Sequence, residues 1–296
     1  MPKSSLKNRN KKPMGVYDLS NMSPKKLQKF MASYNKLHFV ASNNQKYVIT
    51  DNLLRNLVCR DVNPVRKSFD DLHIDKMVDI DSLFSETACL VLISHKNSVD
   101  IDEKYGAVLT GLLQNALNTF GGAVVLLQSG LSGQSMVLIR QVVELCSTII
   151  HIVGDPEARV IDKFIEGKYH STDSVGRASK AVPIIGHFWG VLSKSFVHIN
   201  YGHTEIKPVR LHKRDDKDVE TIITCLRMTI WICYLTAEIA FPTAREHNRY
   251  WKKRLINGRP AVEYAPSPEE RDWAAKFLSL DDVGPNDLAG GDVNNS

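Results

Sequence analysis

Two consecutive segments with a 3.6-residue apolar period, separated only by Ser129–Gly133, constrain this chain more than any other feature. Counting 100° per residue from Val108, the residues Val108, Leu109, Leu112, Leu113, Ala116, Leu117, Phe120, Ala123, Val124 and Leu127 share one half-circle. Thr110, Gln114, Asn115, Asn118, Gly121 and Gln128 share the other. That period specifies a helix buried along one side. The second segment repeats it with Leu138, Ile139, Val142, Val143, Leu145, Cys146, Ile149, Ile150, Ile152 and Val153, opposite Arg140, Gln141, Glu144, Ser147, Thr148 and His151. In the SGLSG connection, Gly130 suits the position after a helix end and Ser132 suits an N-cap. So short a link predicts neighbouring antiparallel helices over 107–128 and 134–153, the centre of an all-α helical bundle.

The remaining segments predict further helices and no convincing strand. Ser23-Pro24 places proline at a first helical position and opens a short helix to about Leu37. Residues 41–75 mix small apolar clusters with charge and Pro64, and specify no element. The run ACLVLI within 81–95 predicts a buried helix. Gly154-Asp155-Pro156 ends the second long helix and opens another, to about Tyr169. Pro183 and Gly186 break the chain before an aromatic helix that starts near His187, and 207–216 is a charged connector. A long helix spans about Lys217 to Phe241, stopped by Pro242, and shorter helices cover 244–256 and 267–279. The expected divisions are a disordered basic tail over 1–22, a helical or irregular segment over 23–80, a core bundle over 81–242, C-terminal helices over 243–279, and a disordered acidic tail over 280–296.

Charge is unevenly spread. Residues 1–36 hold nine Lys or Arg and one acid, Asp18, so this stretch alone is +8 while the whole chain is +5. The other 260 residues are therefore close to neutral. Five cysteines form no CxxC pair and lie mostly in apolar runs, which predicts reduced thiols and a cytoplasmic chain. No charge occurs from Tyr105 to Ile139, long enough to span a bilayer. The amides and glycines inside that stretch, and Arg227 and Glu238 in the later apolar helix, favour buried helices over membrane spans.

Three groups of residues are candidates for function. Arg140 and Glu144 stand i,i+4 on one helix face with His151 beyond them, either a surface ion pair or the lining of a polar cleft. The segment LSKSFVHINYGHTE (192–205) carries Ser193, His198 and His203, whose five-residue histidine spacing does not suit a metal site on one helix face. REHNRYWKKRLINGR (245–259) mixes Tyr250 and Trp251 with Arg245, Arg249, Lys252, Lys253 and Arg254, a candidate RNA contact or an amphipathic helix with solvated cations. The uncharged polar face of the 107–128 helix is a candidate homo-oligomer surface near Asn115 and Asn118. No metal or cofactor site is expected.

The uncharged helix, the LIRQVVEL segment with Arg140 and Glu144, and the later LSKSFVH segment with Ser193 and His198 together resemble a family of uncharacterised bacterial helical proteins. Their motifs are Arg-x-x-x-Glu and Leu-Ser…His. More remotely, the arrangement is similar to the HEPN superfamily of helical bundles, many of them metal-independent endoribonucleases of toxin and antiphage systems. That likeness implies His198 as the acid/base and Arg140 as a stabiliser of phosphate charge. Ser193 and Lys194 stand where the superfamily has arginine; Arg66 and His73 have the required spacing elsewhere. Two functions are therefore expected, a non-catalytic self-associating module or an RNA-binding or RNA-cleaving effector.

Overall fold

The computed structural model describes residues 16–18, 22–32, 37–42, 45–50, 53–55, 58–59, 62–97, 103–155, 159–197, 209–244, 247–256 and 259–279. The architecture is all-α at its core. Helices α1 (Pro24–Met31) and the single turn α2 (Leu53–Arg55) precede α3 (Val62–Asn97), α4 (Glu103–Gln128) and α5 (Ser132–Val153). There follow α6 (Arg159–Ile165), α7 (Ser171–Ala181), α8 (Pro183–Leu192) and, after the connector, α9 (Lys217–Ala240) and α10 (Pro268–Leu278). Helices α3, α4, α5 and α9 pack into a four-helix core, and α7 with α8 covers the outer side of α5.

The predicted pair forms as α4 and α5, joined by Ser129, Gly130 and Leu131. Gly130 takes φ +76°, the left-handed conformation that closes a helix at least cost to glycine. Ser132 is not the N-cap; Leu131 holds that position and Ser132 begins the helix. Ser135 sits fully buried beside the turn and its hydroxyl donates to the Ala123 carbonyl, 2.8 Å, tying the two helices where they meet. Leu109, Leu113, Ala116, Phe120, Ala123 and Leu127 of α4, and Ile139, Val142, Val143, Cys146 and Ile149 of α5, are all buried, the faces that the period marks.

The largest departure is α3. Residues 62–80 continue without a break into the helix read over 81–95, so a division at residue 80 falls inside one 36-residue helix. Pro64 lies in its first turn, where a missing N–H costs nothing. Charge obscured the period here: Val65, Phe69, His73, Met77, Ile80, Leu83, Leu90 and Val91 are buried on one side, and carboxylates crowd the other.

Strands also appear where helices or disorder are expected. Val16–Asp18, inside the segment read as disordered, is β1. It pairs antiparallel with β3 (Gln45–Thr50), which also pairs with β2 (Leu37–Ser42), where the short helix from Pro24 was expected to end. The 244–256 segment is not a helix; β4 (Trp251–Ile256) and β5 (Arg259–Tyr264) form a hairpin with Ile256 opposite Arg259. The two residues between, Asn257-Gly258, are the strongest short hairpin signal in a sequence.

The aromatic helix expected from about His187 begins earlier, at Pro183. Pro183 begins α8 as its first residue rather than breaking the chain before it. Gly186 belongs to α8 and lets it close on α7, because a Cβ there would stand 2.7 Å from the Ser179 Cβ. Asp216 caps α9 by accepting from the Asp218 N–H, 3.2 Å, and Ser267 caps α10 by accepting from the Glu270 N–H, 3.2 Å. Helices α5 and α9 are long and apolar enough to cross a membrane. In α9, however, 83% of the apolar window is buried inside the protein, against 56% in α5.

Candidate functional site

The polar face of α5 carries the predicted Arg140, Glu144 and His151, and most of it is covered. Arg140 Nη2 pairs with Glu144 Oε1 at 2.8 Å, with the two side chains only 22% and 23% exposed. Trp189 of α8 donates its indole N–H to the same Glu144 oxygen at 3.1 Å. Arg140 Nε donates to the Ser193 hydroxyl at 2.9 Å, and the guanidinium lies over the Trp189 ring at 5.1 Å. Ser193 opens the single π-helical turn Ser193–Val197 that prolongs α8. The i,i+4 pair is thus a joint between α5 and α8, stronger than a solvated ion pair because three groups hold each other in a half-dry setting.

One turn further along, Thr148 donates to the Glu144 carbonyl, 2.9 Å. His151 Nδ1 meets the Tyr169 hydroxyl at 3.1 Å, and Tyr169 packs edge-on against Phe164. Burial, followed by the charge of Arg177, lowers the His151 pKa against the opposing pull of Asp155 and Asp173. Burial raises the Tyr169 phenol, and hydrogen bonds with Ser174 and Thr148 oppose that rise. Trp189 and Tyr169 escape the sequence reading. Only the Trp189–Ser193 spacing of one helical turn could have tied the indole to this face.

The described polar groups of this face are bound mainly to one another. Ser193 is 4% exposed and receives a hydrogen bond from Arg140, with no base beside it among the described residues. Glu144 is already occupied by Arg140 and Trp189. Among the described residues Arg140 Nη1 and Glu144 Oε2 are left without a hydrogen bond in this cluster. His198 lies outside the described residues, as do Tyr201, His203 and Glu205. Among the described residues no group of three His, Cys, Asp or Glu could hold a metal ion.

The predicted RNA-contact residues separate. Arg245 lies outside the described residues, and Arg254 is placed by its strand register, opposite Ala261. Arg249 donates from Nε and Nη2 to Glu270 Oε2, 2.9 and 2.6 Å, and lies 4.6 Å over Trp273 and 5.3 Å over Tyr234. Tyr250 and Trp251 are 0% and 3% exposed, so neither ring face is open for a base to stack on. Lys252 and Lys253 of β4 are exposed.

A second histidine cluster joins distant parts of the chain. His73, fully buried on α3, has Nε2 at 3.1 Å from the Lys213 carbonyl, and His212 has Nε2 at 3.2 Å from the Gln128 carbonyl. Carbonyls only accept, so each imidazole carries its proton on Nε2. Phe69 packs against both rings, which also meet each other edge to face with centroids 6.2 Å apart, and burial lowers the His212 pKa. Arg66 donates to the Ser129 hydroxyl, 3.0 Å. Arg66 and His73 therefore sit two turns apart on a regular helix rather than in an irregular stretch, and both fasten α3 to neighbouring loops.

No family model matches the chain, and no curated protein or solved structure matches it at a significant level.

If the Arg140 cluster is a joint, Arg140→Ala leaves Glu144 without its cation and uncovers Trp189. It should cost about 2 kcal/mol of stability, the range for losing a hydrogen-bonded, half-buried charge. Urea denaturation checks this, and a change near zero would contradict a structural role.

Proposed function

We propose that this chain is a self-associating helical module whose contact surface is the outer face of α4 together with the first half of α5. One observation carries the reading: between Ala107 and Gln141 no exposed residue of either helix is charged. The exposed positions are Ala107, Gly111, Gln114, Asn115, Asn118 and Val125 on α4, and Gly133, Gln134, Val137 and Gln141 on α5. In a chain with 24% charged residues, exposed helix positions are where charges ordinarily collect.

The surface is continuous and low-lying. Leu138 Cδ1 rests 3.3 Å from the place a Cβ on Gly122 would occupy, so the margins of the two helices adjoin. Cβ atoms at Gly111 and Gly121 would meet nothing within 4 Å, which leaves the α4 backbone open to close approach. Val125 and Val137 are 44% and 42% exposed and add apolar area. Asn and Gln side chains both donate and accept, so a patch of them is complementary to a copy of itself, as a two-fold interface requires. A charged partner gains no ion pair here, whereas two copies bring no like charges face to face.

Light scattering on the purified full chain should give a dimer or higher oligomer, and Asn115→Lys with Asn118→Lys should shift it to monomer, because like charges brought face to face cost several kcal/mol. A wild-type monomer throughout the concentration range sinks the proposal.

A second reading, an RNA-binding or RNA-cleaving effector of HEPN type, is favoured by one contact. Arg140 is fastened to Ser193, five residues ahead of His198. In that reading Arg140 steadies phosphate charge through its open nitrogen and His198 moves the proton. Expression should then arrest growth, and His198→Ala should relieve the arrest; wild-type protein that neither arrests cells nor degrades RNA excludes it.

A further inference from the structure

The outer face of α3 is an unusual helix surface. Asp71, Asp75 and Asp79 stand i,i+4 in succession, and Asp70 and Asp81 flank them from the other side. Like charges at this spacing oppose the helix, and aspartate is a poor interior helix former. Lys67 answers only the first of the ladder, pairing with Asp71 at 3.1 Å. Lys76 is turned to Glu220 of α9, and Asp70 accepts from Gln128. Asp75, Asp79 and Asp81 make no hydrogen bond or ion pair among the described residues. Along the middle of the same stripe run Ile74 and Val78, 48% and 59% exposed. The face is therefore an apolar line between two rows of carboxylates.

We infer that this face docks the chain's own basic N-terminal segment, residues 1–15. The segment holds Lys3, Lys7, Arg9, Lys11 and Lys12 with no acid, and Leu6 and Met14 supply apolar side chains to set against Ile74 and Val78. Its tether is short. Val16 is paired with Ile49 of β3, thirteen residues before α3 begins at Val62, so a short tether raises the local concentration of the segment around the helix. Fifteen residues reach about 50 Å when extended, while the stretch from Asp70 to Asp81 rises only about 17 Å. Docking would neutralise the ladder and cover the two exposed aliphatic side chains together, which free salt ions cannot do.

Zero-length carbodiimide cross-linking of the full chain, mixed from isotopically light and heavy protein and read by mass spectrometry, tests this. Amides should form within one chain between Lys3, Lys7, Lys11 or Lys12 and Asp75, Asp79 or Asp81, and should fade in about 1 M salt, where the Debye length is about 3 Å. Ile74→Ser with Val78→Ser leaves every reactive group in place at exposed positions, and should lower the yield at least threefold. Absence of these links, links only between light and heavy chains, links that run instead to Asp281, Asp282, Asp287 or Asp292, or a yield unchanged in the serine variant would each overturn the inference.

Discussion

From Met228 to Ala240 the helix α9 has no solvent-exposed side, and the described helices around it cover it. Helices α3, α4 and α5 enclose it, and the C-terminal unit takes what remains. A helix buried all round must satisfy its polar groups internally. Thr229 and Thr236 do so by donating to the carbonyls of Cys225 and Ile232, 2.7 Å each. Glu238, 1% exposed, accepts the backbone N–H groups of Arg249 and Tyr250, the latter at 2.8 Å. Arg227 reaches the other way, donating to the Ser279 hydroxyl at 2.9 Å past the end of α10. The two charges that interrupt the apolar helix are thus the anchors of the hairpin and of α10, and Trp251 adds a third tie through the Leu235 carbonyl, 2.8 Å.

Burial of α9 decides the fate of α5. One side of α5 is used against α9, with the Cys146 and Cys233 sulfurs 3.7 Å apart in the contact, and another against α4. What is left of its circumference is the polar face, and the chain divides it lengthwise. The C-terminal half, from Arg140 to His151, is closed by α7, α8 and Tyr169. The exposed positions of the N-terminal half, Gly133, Gln134, Val137 and Gln141, carry no charge and adjoin the outer face of α4. The proposed self-association draws only on the neutral, outward-facing residues, because Arg140 and Glu144 are bound to Trp189 and Ser193 within the chain.

How much of this is legible in the sequence depends on how much charge overlies the apolar period. For α4 and α5 the period is clean because their polar faces hold few charges, so both helices and the Gly130 turn can be read within a few residues. On α3 five aspartates mask an equally regular period, and the helix is recognisable only from Val65, Phe69, His73, Met77 and Ile80 taken together. The hairpin of β4 and β5 is masked differently. Its cations suggest an amphipathic helix, whereas Asn257-Gly258 points to a turn and Trp251 opposite Tyr264 points to a packed pair. The Arg140–Glu144 pair is legible as a pair, but its partners Trp189 and Ser193 come from a helix 45 or more residues away, and spacing along one helix carries no information about such contacts.

The claim that most depends on this division of surfaces is that the charge-free face meets its own copy. The exposed Cys59 and Cys89 can be replaced by serine and a spin label placed at Asn118. Cys146 and Cys233 are buried and the partly buried Cys225 is replaced by alanine, so none of the three competes for label. Pulsed dipolar spectroscopy should then find a narrow distance between labels on two chains of about 30 Å or less, as expected for helices packed about 8–10 Å apart with their label arms added. No dipolar modulation at Asn118, or the same modulation from a label at Lys180 on the far side of α5, would contradict the account.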